Sequence, residues 1–230
     1  NILSTLNLFR SVRNANLFIN FTTDKVYKNK NKRNYFYKET DELGGDDPYS
    51  FSKTCSDLLT NVWSKLETKK KSNFCNVRSG NIIGGGDWNK KRIMSDLVNL
   101  LFLNKNLYIR NMSSTRPWIH VAEVCICLSK LIYRLSKKKY KYSEWNIGPN
   151  KNDNKNISWI INSALSITNK KHLKNKVVVL KKKRFREKNY LQLSNSKIKK
   201  ETKFNFNIKF KDRLSYTIEW YEFFMRKRSE

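Results

Sequence analysis

Apolar residues follow two patterns along the chain, and each pattern predicts a different kind of element. Short apolar runs bounded by polar residues predict strands at residues 17–21, 74–78, 107–110, 145–148, 177–180 and 190–193. Apolar residues at helical spacing predict helices at residues 3–12, 48–67, 92–102, 121–135, 159–167 and from Asp212 onward, with Asp212 as the N-cap. Predicted strands and helices therefore alternate over most of the sequence.

The same patterns predict which side chains lie inside the fold. The helix at residues 121–135 is apolar nearly all round, which predicts that it is buried against a sheet. In the helix at residues 48–67, four apolar residues are expected in the core: Leu58, Leu59, Val62 and Leu66. Three aromatic residues are also expected in the core and not on a binding surface: Phe185, Trp220 and Tyr221.

Two neighbouring segments carry the candidate chemistry. The strand at residues 17–21 runs into Thr22-Thr23-Asp24-Lys25, and small polar residues at the carboxyl end of a parallel strand lie where open α/β sheets bind ligands. Pro48 favours a helix start, and that helix places Tyr49 and Lys53 one turn apart on the same face. An ammonium beside a phenol stabilises the phenolate, so we expect the pKa of Tyr49 to fall from about 10 toward neutrality. Together the two segments predict a site that oxidises a hydroxyl group.

Six segments carry a resemblance to a known family: TTDKVY (22–27), GGDDPYSFSK (44–53), RSGNIIGGGDW (78–88), RPWIHV (116–121), WNIGP (145–149) and YLQLSNSK (190–197). In this order they resemble the extended short-chain dehydrogenase/reductase family, and within it the CDP-glucose 4,6-dehydratases. Most members of the family carry Glu where this chain has Lys25. That Lys, with IGGGDW and RPWIHV, favours the CDP-glucose branch over the dTDP-glucose branch.

The resemblance implies an α/β fold. The expected architecture is a Rossmann-like, doubly wound parallel sheet, partial because its N-terminal strands are missing, with a small α/β substrate-binding C-terminal part. Residues 1–84 and 116–148 are then expected to belong to the NAD-binding domain, and residues 85–115 and 149–230 mainly to the substrate-binding domain.

The resemblance also implies a lyase that uses NAD. Its substrate would be CDP-glucose or a similar nucleotide-sugar, dehydrated to CDP-4-keto-6-deoxyglucose in deoxysugar biosynthesis. The implied catalytic residues are Thr23, Asp24, Lys25, Tyr49 and Lys53. The implied cofactor-binding residues are Thr22, Tyr49, Lys53 and Ser79. The implied substrate-binding residues are Asn81, Trp88, Arg92, Arg116 and Tyr190.

Three of the implied substrate-binding residues could instead have a purely structural role. A guanidinium suits a diphosphate because its fork bonds two oxygens at once, whereas Arg116 could instead form a surface salt bridge. Trp88 could stack on a ligand or cap the core, and Asn81 could be a plain turn residue. In the implied chemistry Asp24 is the acid and Lys25 the base of the elimination step. We expect burial to raise the pKa of Asp24, and burial with the charge of Lys53 to lower the pKa of Lys25.

The glycine-rich turn that binds a dinucleotide pyrophosphate is absent from the sequence. No GxxGxxG follows a strand, and the one glycine cluster, Gly84-Gly85-Gly86, lies elsewhere. Because such a turn supplies the close backbone approach and the helix terminus for the phosphates, we expect an N-terminally truncated fragment that holds NAD weakly. Relatives commonly dimerise through the helix with Tyr49 and Lys53, so we expect a homodimer for the complete protein.

Composition changes this picture little. The formal net charge is +29 among 230 residues, which is typical of nucleic-acid or anionic-membrane binders. Lys is nevertheless spread over loops and helix ends, so we interpret the charge as compositional drift and expect neither partner. The four cysteines and two histidines lack metal-site spacing, and reduced thiols without a membrane span or signal peptide predict a cytoplasmic protein.

Two further interpretations stay open. The chain could be another nucleotide-sugar dehydratase or an epimerase on the same fold. Lys25 argues against most such dehydratases, and an epimerase needs neither Asp24 nor Lys25. Alternatively, a chain without the cofactor fingerprint could be a non-catalytic remnant, although the joint presence of Thr23, Asp24, Lys25, Tyr49 and Lys53 argues against long decay.

Overall fold

The structure is a computed structural model that describes residues 1–12, 15–67, 72–90, 92–137, 140–180 and 188–227. The helices are α1 (Ile2–Ser11), α2 (Pro48–Leu66), α3 (Ile93–Leu103), α4 (Val121–Lys137), α5 (Ile157–Ile167), α6 (Ser196–Thr202) and α7 (Phe210–Lys227). The strands are β1 (Leu17–Thr23), β2 (Asn73–Ser79), β3 (Asn81–Ile83), β4 (Leu107–Ile109), β5 (Thr115–His120), β6 (Tyr142–Ile147), β7 (Asn154–Asn156) and β8 (Val177–Val179). The α/β fold is confirmed.

A parallel three-stranded sheet, in the order β1-β2-β6, is formed by three strands that are far apart in the chain. Thr23 is in register with Ser79, and Ser79 with Ile147. The carboxyl ends of all three strands therefore lie along one edge, where ligands bind in open α/β sheets. The polar segment that follows β1 lies at this edge.

The remaining strands form two small sheets. β3 pairs with β5 in parallel, β5 pairs with β7 in antiparallel fashion, and β4 pairs with β8 in parallel. β3 and β5 were not expected as strands, because β3 has only three residues and β5 mixes polar residues with a proline. The segment at residues 190–193, expected as a strand, forms only isolated bridges at Tyr190 and Leu193.

Of the three apolar clusters among the described residues, the two largest fill most of the interior. One lies between the three-stranded sheet and α4, and includes Val77, Leu131 and Trp145. The other joins α3, α5 and α7 and includes Leu97 and Leu214. Ile198 of α6 packs in the first cluster, so a segment from the C-terminal third of the chain packs with the three-stranded sheet and α4. The division into domains at residues 84, 116 and 148 stays a prediction.

Helix α2 buries a polar face, and the expectation that its apolar residues lie in the core is wrong. Leu58, Val62 and Leu66 are exposed. The buried residues of α2 are Ser50, Thr54, Ser56, Asp57, Thr60 and Ser64. The reason lies in the strands underneath, which present polar groups: Asn20 of β1 donates to Ser56 and Thr60, and Asn76 of β2 donates to Asp57.

Three other expectations need correction. Helix α4 buries one face only, because Ile126, Ile132 and Tyr133 on its other face are exposed. Asp212 lies in the first turn of α7 and is not its N-cap. Tyr221 is buried as expected, whereas Trp220 is 41% exposed; Phe185 lies outside the described residues. Within the described residues, none of the helices is long and apolar enough to span a bilayer.

Candidate active site

The start of α2 is fixed by its own sequence. Asp47 is the N-cap, and its carboxylate accepts hydrogen bonds from the backbone N–H groups of Tyr49 and Ser50 at 3.0 and 3.1 Å. Pro48 occupies the first helical position, which needs no N–H donor. Tyr49 therefore lies in the first turn, with Lys53 one turn further along.

Opposite this turn, the end of β1 bends into a short 3-10 turn at Asp24–Val26. The hydroxyl of Thr23 caps that turn by accepting from the Lys25 N–H, and it donates to Asp24 Oδ1 at 3.0 Å. Asp24 is 2% exposed. Its Oδ2 is buried without a hydrogen-bond partner among the described residues.

Tyr49 lies beside this carboxyl. Lys25 Nζ stands 5.6 Å from the centroid of the Tyr49 ring. Burial raises the pKa of the Tyr49 phenol, and the charge of Asp24 raises it further, whereas the charge of Arg92 and hydrogen bonding with Thr23 lower it. Thr23, Asp24 and Arg92 thus act on the phenol of Tyr49, and Lys25 lies over its ring.

The direction of the Tyr49 shift is opposite to our expectation. We expected Lys53 to lower the pKa of Tyr49, but the net effect is a raised value, with burial as the first cause. Lys53 Nζ instead donates to the backbone carbonyl of Phe21 on β1 at 3.3 Å. Partial loss of hydration destabilises the phenolate and outweighs the favourable neighbours.

The pKa of Asp24 is raised, as expected. The expectation for Lys25 assumed that its side chain is buried, and this burial is not found. Burial raises the pKa of Asp24 to about 6, against the opposing charges of Arg116 and Lys25 and the hydrogen bond from Thr23. Much of this carboxyl is then protonated in mildly acidic solution. The side chain of Lys25 is exposed, because the 3-10 turn directs it outward over the Tyr49 ring.

Asp24→Asn should change the pH dependence of stability. The folded protein holds a proton on Asp24 up to about pH 6, whereas an unfolded Asp releases it near 3.8, so the wild type loses stability as pH rises through this window. The asparagine variant lacks this loss and should gain up to ~3 kcal/mol relative to wild type between pH 4 and 7. Urea unfolding at pH 4, 5, 6 and 7 measures the difference. The exposed Asp212→Asn variant is the control, and an equal pH response of both variants would contradict a buried, protonated Asp24.

Of the residues expected to bind a cofactor, some lie at the sheet edge near Thr23 and one faces the interior. The Ser79 hydroxyl, at the same sheet edge as Thr23, donates to the Ile147 carbonyl at 3.1 Å. Thr22 faces the interior instead, where its hydroxyl donates to Asp57 Oδ2 at 3.1 Å. Thr22 is therefore not among the side chains that converge at Tyr49, since successive residues of a strand point to opposite faces.

The residues expected to bind substrate lie on several different elements of the fold. Arg92 is close enough for its charge to act on Tyr49, and Arg116 for its charge to act on Asp24. Arg116 is 7% exposed and donates to the carbonyls of Thr115, Lys188 and Asn189, so its guanidinium is largely buried. Asn81 begins β3 just after Ser79, and Tyr190 pairs with Thr115, next to Arg116.

Trp88 packs on α7 and remains accessible. Its ring lies 5.0 Å from that of Tyr221 and 5.2 Å from that of Phe224, between ring centroids. It is also 43% exposed. Both sequence interpretations, a ligand platform and a cap on the core, are compatible with this position.

A buried polar network under α2 was missed by the sequence analysis. Arg78 of β2 donates to both carboxylate oxygens of Asp57, at 2.9 and 2.7 Å, and also to the Tyr27 hydroxyl at 3.1 Å. Tyr27 in turn donates to Asn146 of β6. The available signal was Asp57, an acidic residue one turn after Lys53 on the same face of the helix. This network fixes the helix that carries Tyr49 and Lys53 to the sheet that carries Thr23.

The described residues fit one half of a dinucleotide. An ammonium has three donors, and Lys53 uses one of them on the Phe21 carbonyl, so it could also hold ribose hydroxyls. Tyr49, Thr23 and Ser79 lie at the same edge of the sheet. The sequence offers no glycine-rich turn after a strand for the pyrophosphate.

Comparisons with known proteins agree on one family. The family model described as GDP-mannose 4,6 dehydratase matches residues 1–217. A CDP-glucose 4,6-dehydratase from Salmonella typhimurium strain LT2 is 33% identical over 177 residues, which is 73% of this chain and 49% of that relative. The chain thus spans about half the length of this curated relative.

Solved structures show the same fold. A dTDP-glucose 4,6-dehydratase from Streptomyces venezuelae, with NAD and TYD bound, aligns with a TM-score of 0.80 and 19% identity over 96% of this chain and 65% of that chain. A UDP-glucose 4-epimerase from Thermotoga maritima, with UDP-glucose, aligns with a TM-score of 0.79 and 16% identity. The alignment covers 100% of this chain and 70% of that chain.

Proposed function

Because the chain belongs to the GDP-mannose 4,6-dehydratase family, within the extended short-chain dehydrogenase/reductases, we propose that it acts in the dehydration of a nucleotide-sugar. The proposed reaction converts CDP-glucose to CDP-4-keto-6-deoxyglucose and water. The observation that carries this proposal is the convergence of Tyr49 with Thr23, Asp24 and Lys25 between β1 and α2. The similarity to a CDP-glucose 4,6-dehydratase supports the choice of nucleotide.

In this proposal each residue handles one proton. A bound NAD would supply the hydride acceptor for C4 of the sugar and, once reduced, the hydride donor for C6. Tyr49, as phenolate, takes the proton of the 4-hydroxyl, which Thr23 orients, while Lys53 holds the cofactor ribose. Lys25 takes the C5 proton, and protonated Asp24 donates to the departing 6-hydroxyl, which leaves as water. Lys25 then returns its proton to C5, and solvent carries the proton of Tyr49 back to Asp24, so the cycle closes.

The raised pKa of Asp24 supports its role as the acid. A carboxyl with a pKa of about 6 is protonated over part of the range near neutrality, whereas an ordinary Asp is not. Its Oδ2 has no hydrogen-bond partner among the described residues, so it is the oxygen proposed to carry the proton. Five residues are proposed to surround the sugar diphosphate: Asn81, Trp88, Arg92, Arg116 and Tyr190. Of the two arginines, Arg92 is the more accessible.

Nucleotide competition tests the substrate. The chain, supplied with NAD, should bind CDP-glucose at least tenfold more tightly than dTDP-glucose, by isothermal titration calorimetry. Arg92→Gln should weaken both nucleotide-sugars about equally, by roughly 10-fold, since it removes one charge-assisted contact. Lys227→Gln, far along α7, is the control. Tighter binding of dTDP-glucose would favour another dehydratase of the family, and binding of neither sugar would favour the non-catalytic remnant.

We also propose that two copies associate through the outer face of α1 and α2. Six apolar residues form this face and are exposed: Leu3, Leu8, Phe51, Leu58, Val62 and Leu66. Contiguous exposed apolar surface marks an interaction site more often than a solvated one. A second copy with the same face would remove these side chains from water.

Charged residues on this outer face should prevent the association. Leu58→Lys with Val62→Lys should convert a dimer to a monomer in sedimentation-velocity experiments, weakening association by 100-fold or more, because each buried leucine or valine contributes about 1.5–3 kcal/mol. Ile132→Lys, on the exposed face of α4, is the matched control and should leave the dimer intact. A wild-type monomer at tens of micromolar would contradict the proposal.

A further inference from the structure

The loop after β3 is held against helix α7. We define the glycine loop as residues 84–89; it leads to Arg92, the residue before α3. The Tyr221 hydroxyl of α7 donates to the backbone carbonyl of Asp87 at 2.9 Å. The Trp88 ring lies edge-on to Tyr221 and against Phe224, with centroids 5.0 and 5.2 Å away. One hydrogen bond and two aromatic contacts thus join the loop to one helix.

The glycines allow this close approach. A Cβ added to Gly85 would lie 2.1 Å from Cδ2 of Trp220, a distance no side chain tolerates. Gly86 has a φ of +83°, in the left-handed region that favours glycine. The loop backbone therefore lies directly on the indole of Trp220, and a side chain at residue 85 would displace it.

Helix α7 is itself anchored far from the loop. Arg213, near its N-terminus, is 0% exposed and forms ion pairs with Glu123 of α4 and with Asp153, at 3.2 Å for the latter. Its guanidinium thereby fixes α7 to two other elements of the fold. The half of the helix that contacts the loop extends from this fixed point.

The glycine loop in turn orients a charge at the candidate active site. Arg92 Nη1 donates to the Asp87 carboxylate at 3.0 Å. Arg92 is close enough to Tyr49 for its charge to act on the phenol, which also faces Asp24 and Asp47. Hydrogen bonds therefore connect Tyr221 to Asp87 and Asp87 to Arg92, and the charge of Arg92 acts on Tyr49.

We propose that α7 positions the glycine loop through Trp220 and Tyr221, and thereby holds the Arg92 guanidinium at the candidate active site. Trp220 and Tyr221 are then positioning residues that act through Asp87 and Arg92. The inference rests on the proposed function only in treating the surroundings of Tyr49 as an active site.

Hydrogen exchange followed by mass spectrometry tests the docking without substrate or cofactor. Tyr221→Phe removes the hydroxyl that bonds Asp87 and keeps the ring on Trp88, so exchange in the peptide that contains residues 84–89 should become about 3–10-fold faster. Peptides from β2 should be unchanged. Tyr216→Phe is the matched control, because Tyr216 lies on the same helix and contacts His120. Unchanged loop exchange in Tyr221→Phe would overturn the proposal.

A rescue experiment separates docking from general damage. Gly85→Ala should release the loop and raise its exchange more than Tyr221→Phe does, because the added methyl group meets the indole. Trp220→Ala in the Gly85→Ala background removes that indole and should restore part of the protection. The Trp220→Ala single variant is measured alongside. If the loop in the double variant loses as much protection as the two single variants lose together, the contact of Gly85 with Trp220 does not hold the loop.

The titration of Tyr49 links the docking of the glycine loop to the candidate active site. It is followed by NMR of tyrosine labelled with ¹³C at the ring, and the Tyr49 signal is assigned with the Tyr49→Phe variant. Arg92→Gln should raise the pKa of Tyr49, since the arginine charge lowers it. Tyr221→Phe should move the pKa in the same direction by a smaller amount, and Tyr216→Phe should not move it. A Tyr49 titration unaffected by Tyr221→Phe would overturn the positioning role. Failure of nucleotide-sugar binding would refute only the proposed function, because these measurements need no ligand.

Discussion

Tyr49→Phe should reduce turnover of CDP-glucose in the presence of NAD by about 10²–10⁴-fold, because it removes the group that accepts the 4-hydroxyl proton. The ring, its position in the first turn of α2 and the contact with Lys25 remain. Protein folding should therefore be unchanged. Formation of the dehydrated sugar is measured by mass spectrometry, and incorporation of deuterium at C5 from heavy water is measured in parallel.

Lys25→Ala separates the two halves of the reaction. If Lys25 is the base, this variant should still oxidise C4, seen as absorbance of the reduced cofactor, but should lose deuterium incorporation at C5. Tyr49→Phe should lose both signals. Tyr133→Phe, at an exposed position on α4, is the matched control for the loss of a phenol. Retained C5 exchange in Lys25→Ala would refute the base role, and full turnover in Tyr49→Phe would refute the dehydratase proposal.

Asp57→Ala should lower the free energy of unfolding by about 3–5 kcal/mol, because it leaves the buried guanidinium of Arg78 without its counter-charge. Both side chains of this ion pair are almost completely buried, with 3% and 1% exposure. The Asp57 carboxylate also accepts from Thr22 and Asn76, so these donors lose their partner as well. Urea unfolding at neutral pH measures the loss.

A double replacement distinguishes a charge effect from a packing effect. Asp57→Leu with Arg78→Met should cost much less than the sum of the two single changes, since an apolar pair leaves no buried charge. Glu42→Ala removes the exposed ion pair with Lys28 and should cost less than about 1 kcal/mol. An additive double variant would show that the two side chains contribute independently and that the pair itself has no special role.

The sequence by itself determined the features that depend on neighbours along the chain. The alternation of strands and helices, the start of α2 at Asp47 and Pro48, and the placement of Tyr49 and Lys53 on one face follow from local periodicity and capping. The motifs from residues 22 to 197 indicated the family. The expected rise of the Asp24 pKa on burial came from the acid role that the resemblance implies.

Only the tertiary structure decided which chemical surroundings these residues have. The apolar residues of α2 predicted a buried apolar face, but β1 and β2 present Asn20, Asn76 and Arg78 to the helix, so Ser56, Asp57 and Thr60 face inward. The pKa of Tyr49 is raised and not lowered because burial and the carboxylate of Asp24, a residue on another element, outweigh the favourable groups. The docking of the glycine loop depends on Tyr221, 134 residues from Asp87 in the chain. Side-chain periodicity describes a helix or strand alone, whereas desolvation and hydrogen bonding depend on the surface that packs against it.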